Sequence, residues 1–213
     1  MDTLAPMDVR ARLARSRLYL VLEARPRGRD PRPLLDAALC GGVDVVQLRE
    51  KGLPDDQLIA AAAPFRAACD RHGALFVVDD RAHLVEDCGA DGVHVGREDA
   101  TLEVARRLVG PERLVGLSAE TEAELTGDAD YFGVGAIFGT PTKPESPPGG
   151  LDLVRAARER LRVPWFAIGG IELDNVVAVV AAGAPGVAVV RAIRDADDPE
   201  AAARALRAAL PDR

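Results

Sequence analysis

The stretch Asp44–Gly52, DVVQLREKG, runs from two valines directly into Gln47, Arg49, Glu50 and Lys51. Side chains alternate along a strand, so Gln47, Arg49 and Lys51 share one face and Leu48 takes the other. Two cations and an amide on one face suit a multiply charged anion such as pyrophosphate, although they equally suit a solvated strand end. Carboxylates follow further along: Asp79 and Asp80 in VVDDR, and Asp99 in DGVHVGRED. Two carboxylates beside phosphate-binding cations match a Mg²⁺ site, which uses one or two carboxylates, phosphate oxygens and waters. Singly, each aspartate also fits a helix cap. His94 is either a satisfied core histidine or a site residue, and Ser118 closes the run RLVGLS. A second anion site is suggested by Gly169-Gly170 in AIGGI and by Val190-Arg191 in VVRAI. Glycine lets backbone N–H groups approach a phosphate, and Arg191 adds charge there. Thr140, Thr142 and Lys143 in GTPTKP lie between the two groups in sequence.

These residues need elements that bring their ends together. Apolar runs at 18–22, 43–48, 74–78, 91–95, 113–118, 130–138, 164–169 and 186–190 read as eight strands. Helix-like segments lie near 31–40, 54–71, 82–88, 100–108, 121–126, 151–161, 173–182 and 199–209. Strict alternation implies a parallel sheet, and strands apolar at nearly every position imply burial on both faces. The fold class is therefore α/β. Eight such units predict a (β/α)8 TIM barrel spanning residues 1–213 as a single domain, with a short N-terminal extension over about 1–16. A doubly wound sheet would call for a glycine-rich turn after the first strand, where EARPRGRDP stands instead. In such a barrel the active site forms at the C-terminal strand ends, where every polar group named above falls. The Pro/Gly-rich stretch FGTPTKPESPPGG, 138–150, reads as a lid beside them.

Composition narrows the partners. Hydrophobic residues make up 48% and charged residues 29%, a globular balance. A net charge of −7 disfavours nucleic acid and anionic membrane, but an anionic small molecule needs only local positive charge. No apolar run approaches the roughly 18 residues that cross a bilayer. The first 22 residues show no secretory h-region with a cleavage site, so the expected location is cytoplasmic. Cys40, Cys69 and Cys88 form no CxxC pair and read as buried apolar residues of a reducing compartment. A homo-oligomer is left open.

VQLREK, DGVHVG, DYFGVGAIFGTPTKP, AIGGI and VVRAI, in this order, resemble the thiamine-phosphate synthase family from about residue 17 to residue 209. QLREK and TPTK are the specific elements; AIGGI occurs in many phosphate-binding barrels. The resemblance implies a transferase of thiamine biosynthesis. It would join a hydroxymethylpyrimidine diphosphate to a hydroxyethylthiazole phosphate by a dissociative, Mg²⁺-assisted substitution that releases pyrophosphate. It implies that Arg49, Lys51 and Lys143 hold the pyrophosphate, with Gln47 and Asp79 near the same substrate and Ser118 on the pyrimidine. It further implies Mg²⁺ on Asp80 and Asp99, and thiazole phosphate on Thr140, Thr142, Gly170, Val190 and Arg191. Arg49, Lys51, Lys143 and Ser118 would carry the catalysis.

Three positions depart from the family pattern: Asp79 where Asn is usual, Glu120 where His is common, and Arg191 where many members have Ser. Asn donates and accepts, whereas ionised Asp only accepts, so Asp79 is expected to weaken pyrimidine binding. The rival readings are a thiazole tautomerase of the same superfamily, another sugar-phosphate isomerase or epimerase barrel, and a catalytically impaired phosphate-binding barrel. Intact QLREK and TPTK disfavour the first.

Overall fold

The computed structural model describes residues 8–97, 99–139 and 148–212. The strands are β1 Leu18–Leu22, β2 Val45–Leu48, β3 Leu75–Asp79, β4 Gly92–Val95, β5 Leu114–Ala119, β6 Tyr131–Val134, β7 Trp165–Ile168 and β8 Val187–Val189. Each pairs in parallel with the next, and β1 pairs with β8, so the sheet closes into the expected eight-stranded barrel. The helices are α1 Val9–Arg15, α2 Arg32–Cys40, α3 Asp55–His72, α4 Leu102–Val109, α5 Gly150–Arg160, α6 Val176–Ala181, α7 Arg191–Arg194 and α8 Pro199–Ala209.

Period-two alternation sorts the strands into two apolar layers. Tyr19, Val45, Leu75, Leu114, Tyr131 and Phe166 fill the barrel interior. Leu20, Val46, Phe76, Val93, Val115 and Phe132 face outward into the layer shared with the helices. Both layers are fully buried, which explains why the strands read as continuous apolar runs.

Three aspartates fix register at the N-terminal ends. Asp44 Oδ2 accepts the N–H groups of Arg17 and Leu18 at 2.8 and 3.0 Å. Asp91 Oδ2 accepts from Phe76 N–H at 2.7 Å, and Asp130 Oδ2 from Val115 N–H at 2.7 Å. Each thus stands just before an even-numbered strand and anchors the strand preceding it.

Three expected elements differ. The segments 82–88 and 121–126 are not α-helices but contain single 3-10 turns, Ala82–Leu84 and Glu122–Glu124. The chain between β3 and β4, and between β5 and β6, is too short for a full helix with a loop at each end. The sixth strand ends at Val134 rather than at 138. Beyond it the chain crosses onto the end of β7, where Ile137 N–H donates to Ile168 O at 2.9 Å and Phe138 N–H to Gly169 O at 3.0 Å.

The N-terminal extension carries a helix that the sequence reading did not identify. Asp8 caps α1, and Leu13 enters the interior layer at 2% exposure. Arg10 Nε holds Asp130 Oδ1 at 2.9 Å, tying α1 to the aspartate that anchors β5. Leu13→Ala is expected to lower unfolding free energy by about 2–5 kcal/mol, the range for a buried leucine, in urea titration. A loss below about 0.5 kcal/mol would show that α1 does not close the barrel.

Candidate active site

The polar face of β2 opens into a cavity at the C-terminal mouth, lined by Gln47, Arg49 and Lys51, while Leu48 packs in the outer layer. Each cation is held by a carboxylate from the end of β3. Arg49 Nε lies 3.4 Å from Asp79 Oδ2, and Lys51 Nζ lies 3.0 Å from Asp80 Oδ2. Asp80 takes a left-handed conformation, φ 60, which short polar residues tolerate best. Its N–H donates to His94 O at 2.8 Å, locking that turn against β4. Asp99 reaches the same place from the loop after β4, with its Oδ2 accepting Gly96 N–H at 3.1 Å.

The three carboxylates sense one another. Burial, and then the charge of Asp80, push Asp79 up to about 7. Burial raises Asp99 as well, and its hydrogen bond with Asp80 adds to the rise. Partial burial pushes Asp80 up as well, but hydrogen bonds with Lys51 and Asp99 hold it below the usual carboxylate range. Lys51 is raised by its bond to Asp80. Two carboxyl groups close enough to hydrogen bond, with oxygen the only donor type, suit a hard divalent cation that completes its shell with phosphate and water. Among the described residues no group of three or more His, Cys, Asp and Glu side chains is placed to hold a metal. Asp80 and Asp99, two hard oxygen donors, are the residues that could hold a divalent cation such as Mg²⁺ here.

A hydrogen-bonded chain crosses the barrel beneath the cavity. Gln47 Nε2 donates to Tyr19 Oη at 3.1 Å, and Tyr19 Oη meets Tyr131 Oη at 3.1 Å. His94 Nδ1 lies 3.3 Å from Tyr131 Oη, and its Nε2 lies 3.0 Å from Ser118 Oγ, with donor roles set by the tautomer. Gln47 is buried at 4% exposure, so this bond answers a polar demand as well as orienting the amide. Tyr131 fits only because β5 carries Gly116 beside it: a Cβ there would lie 2.1 Å from the ring.

The opposite rim belongs to β7 and β8. Gly169 and Gly170 have φ of 99 and 63, which other residues adopt only with strain. A Cβ on Gly170 would stand 2.8 Å from Phe138 Cβ, so the loop also needs glycine for close approach. Val190 and Arg191 line the same cavity. Arg191 Nη2 is paired with Glu172 Oε1 at 3.6 Å.

The structure thus gathers Gln47, Arg49, Lys51, Asp79, Asp80 and His94 with Asp99 and Ser118 around one cavity, facing Gly170, Val190 and Arg191. Thr140, Thr142 and Lys143, and most of the expected lid, lie outside the described residues. Glu120 also lines the cavity. Sequence reasoning missed Tyr19, Tyr131, Phe166 and Glu172, which line it too. A signal was available for Tyr131: it shares the inward face with Gly116 and Ser118 of the neighbouring β5, in runs that are otherwise apolar. Nothing in the sequence marked Glu172 as the partner of Arg191.

Comparison with known proteins agrees on one family. A model for thiamine monophosphate synthase matches residues 18–193. The chain is 47% identical over 209 residues to the thiamine-phosphate synthase of Thermobifida fusca, covering 95% of each chain. It is 48% identical over 196 residues to that of Gloeobacter violaceus, where it covers 90% of this chain but only 57% of the longer relative. A solved thiamine phosphate pyrophosphorylase from Pyrococcus furiosus superposes with a TM-score of 0.84 at 31% identity, over 92% of this chain and 96% of that one.

The packing of Tyr131 sets one expectation. Gly116→Ala should destabilise the fold by about 1–3 kcal/mol, the usual cost of overpacking, and displace the ring from the buried chain. A melting curve superimposable on that of the parent would contradict this placement of Tyr131.

Proposed function

The chain belongs to the thiamine monophosphate synthase family, and we propose that the mouth of its barrel carries out the family's reaction. The substrates are hydroxymethylpyrimidine diphosphate and hydroxyethylthiazole phosphate; the products are thiamine phosphate and pyrophosphate. The observation that supports this best is the meeting of Arg49, Lys51, Asp80 and Asp99 with the Gly169-Gly170 loop in one cavity. One rim offers cations and carboxylates for a diphosphate, and the other offers glycine backbone and Arg191 for a monophosphate.

In this reading the bond between the pyrimidine methyl carbon and the pyrophosphate oxygen breaks first. The electron pair leaves with pyrophosphate, and the thiazole nitrogen then gives its lone pair to the pyrimidine-methyl cation. No proton needs to be removed from either partner for the new bond to form, so no strong base is required. Arg49 and Lys51, joined by Lys143, receive the charge that grows on the leaving oxygens. Before substrate arrives, Asp79 and Asp80 hold the first two cations, and the diphosphate exchanges places with those carboxylates. Asp80 and Asp99 would hold Mg²⁺, which supplies further neutralisation of the departing pyrophosphate. Gln47 and Ser118, fixed through Tyr19, Tyr131 and His94, orient the pyrimidine, with Asp79 near it. Gly170, Val190 and Arg191, with Thr140 and Thr142, hold the thiazole phosphate. Aromatic and apolar walls limit water around the cation.

Among the described residues no helix is long and apolar enough to cross a membrane. Both substrates are small charged metabolites, which supports work in the cytoplasm on small-molecule partners.

The purified protein, given both precursors and Mg²⁺, should release pyrophosphate and thiamine phosphate in equal amounts. Excess EDTA should stop turnover, and added Mg²⁺ should restore it. Lys51→Ala should lower kcat/KM by about 10²–10³-fold, or about 2.7–4 kcal/mol of barrier, as for other preorganised charge-assisted donors. Thiazole conversion without pyrophosphate release would favour the tautomerase instead, and no turnover of the pair would refute the synthase reading. Asp79→Asn removes the carboxylate that competes for Arg49 and adds a donor, so the KM for the pyrimidine diphosphate should fall several-fold. An unchanged or higher KM would count against a penalty from Asp79.

A further inference from the structure

We infer that Asn175 is a positioning residue for the monophosphate end of the site, holding the glycine loop in its anion-accepting shape from behind. This rests on the proposed placement of the thiazole phosphate at that loop. Asn175 Nδ2 donates to Gly170 O at 2.9 Å, and Asn175 Oδ1 accepts Glu172 N–H at 2.9 Å. One planar amide therefore closes the turn from Gly170 to Glu172 with both of its polar ends.

The loop needs such a brace. Two adjacent glycines lose more backbone freedom on ordering than any other pair, and they have no side chains of their own to hold them. Gly169 O and Ile168 O accept from the chain after β6, which secures one side of the loop. Asn175 secures the other. Its own carbonyl accepts the N–H groups of Ala178 and Val179 at 3.1 and 3.3 Å, so the brace is anchored to the start of α6. The bond at Glu172 N–H also sets where the Glu172 side chain leaves the loop, and that carboxylate pairs with Arg191. Asn175 thereby governs two things that meet the phosphate: the direction of the loop's N–H groups and the position of the arginine's counter-ion.

The residue type is specific. Closing the turn takes a donor and an acceptor on one short side chain; Asp keeps the acceptor alone, Ser carries a single hydroxyl, and Gln reaches too far. Asn175 would touch neither substrate, so its effect should appear in affinity for the phosphate group and not in the chemical step.

Calorimetric titration of thiazole phosphate and of its unphosphorylated alcohol, into the parent and Asn175→Ala proteins, tests this. The Kd for the phosphate should rise at least tenfold, while that for the alcohol stays within about twofold. The KM for the pyrimidine diphosphate and kcat at saturating substrate should change little. Asn175→Ser gives the same comparison if the alanine variant does not fold. A variant with a lower melting temperature but the parent's Kd for the phosphate would overturn the inference, leaving Asn175 a helix-start residue only. Equal weakening for phosphate and alcohol would overturn it as well. A parent protein that fails to bind thiazole phosphate would instead remove the site reading on which the inference stands.

Discussion

Slip any strand of this barrel by one residue and its inward polar side chains would turn into the apolar helical layer. Gln47, Asp79, His94 and Ser118 all owe their direction to that register, and so do the tyrosines beneath them. The ladder pairs Gln47 with Val77, Asp79 with His94, and Ser118 with Gly133, which stacks the polar groups at one end of the interior. At the other end, Asp44, Asp91 and Asp130 hold alternate strands by N–H groups of the first or second strand residue. A hydrogen bond from a backbone N–H to a carboxylate is among the stronger in a protein, and these three act where the ladder would otherwise fray. The chemistry at the top of the barrel is therefore aligned by carboxylates at the bottom.

With register set, the mouth balances its own charge. Arg49 and Lys51 meet Asp79 and Asp80, and Arg191 meets Glu172, before any ligand enters. Such pairs keep long side chains near their working positions and spare buried charge from standing alone. They also define what a ligand must do. A diphosphate or monophosphate has to outcompete a carboxylate, which an uncharged analogue cannot. Under the proposed function, this resting pairing would favour phosphorylated substrates over uncharged ones. Asp79, Asp80 and Asp99 are crowded, as the upward push on Asp79 and Asp99 shows, and under the proposed function a cation would relieve that crowding.

The eight-stranded barrel was legible because each strand repeats one simple pattern, apolar on both faces and bounded by polar turns. The strand-end residues were legible for the same reason: once period two is assumed, Gln47, Arg49 and Lys51 must share a face, and the C-terminal ends must converge. Helices were less legible where connections shorten. Leu84 and Val85 look like the start of a helical face, but the chain between β3 and β4 leaves room only for a turn. The N-terminal helix escaped notice because its apolar stripe is one i,i+4 pair, Val9 and Leu13, in a seven-residue segment otherwise rich in arginine.

Alternation and composition therefore settled the fold class and gathered the candidate site residues at one end of the barrel. Those are properties of each strand taken alone, readable from its neighbours in the chain. The pairing of Arg49 with Asp79, Lys51 with Asp80 and Arg191 with Glu172, the buried line from Gln47 to Ser118, and the clamp by Asn175 were decided only when the sheet closed. Most of them join different strands or the loops that follow them, and even the Asn175 clamp depends on a glycine turn shaped against the chain after β6. Their geometry is set by register, tilt and packing, and local sequence carries no record of those.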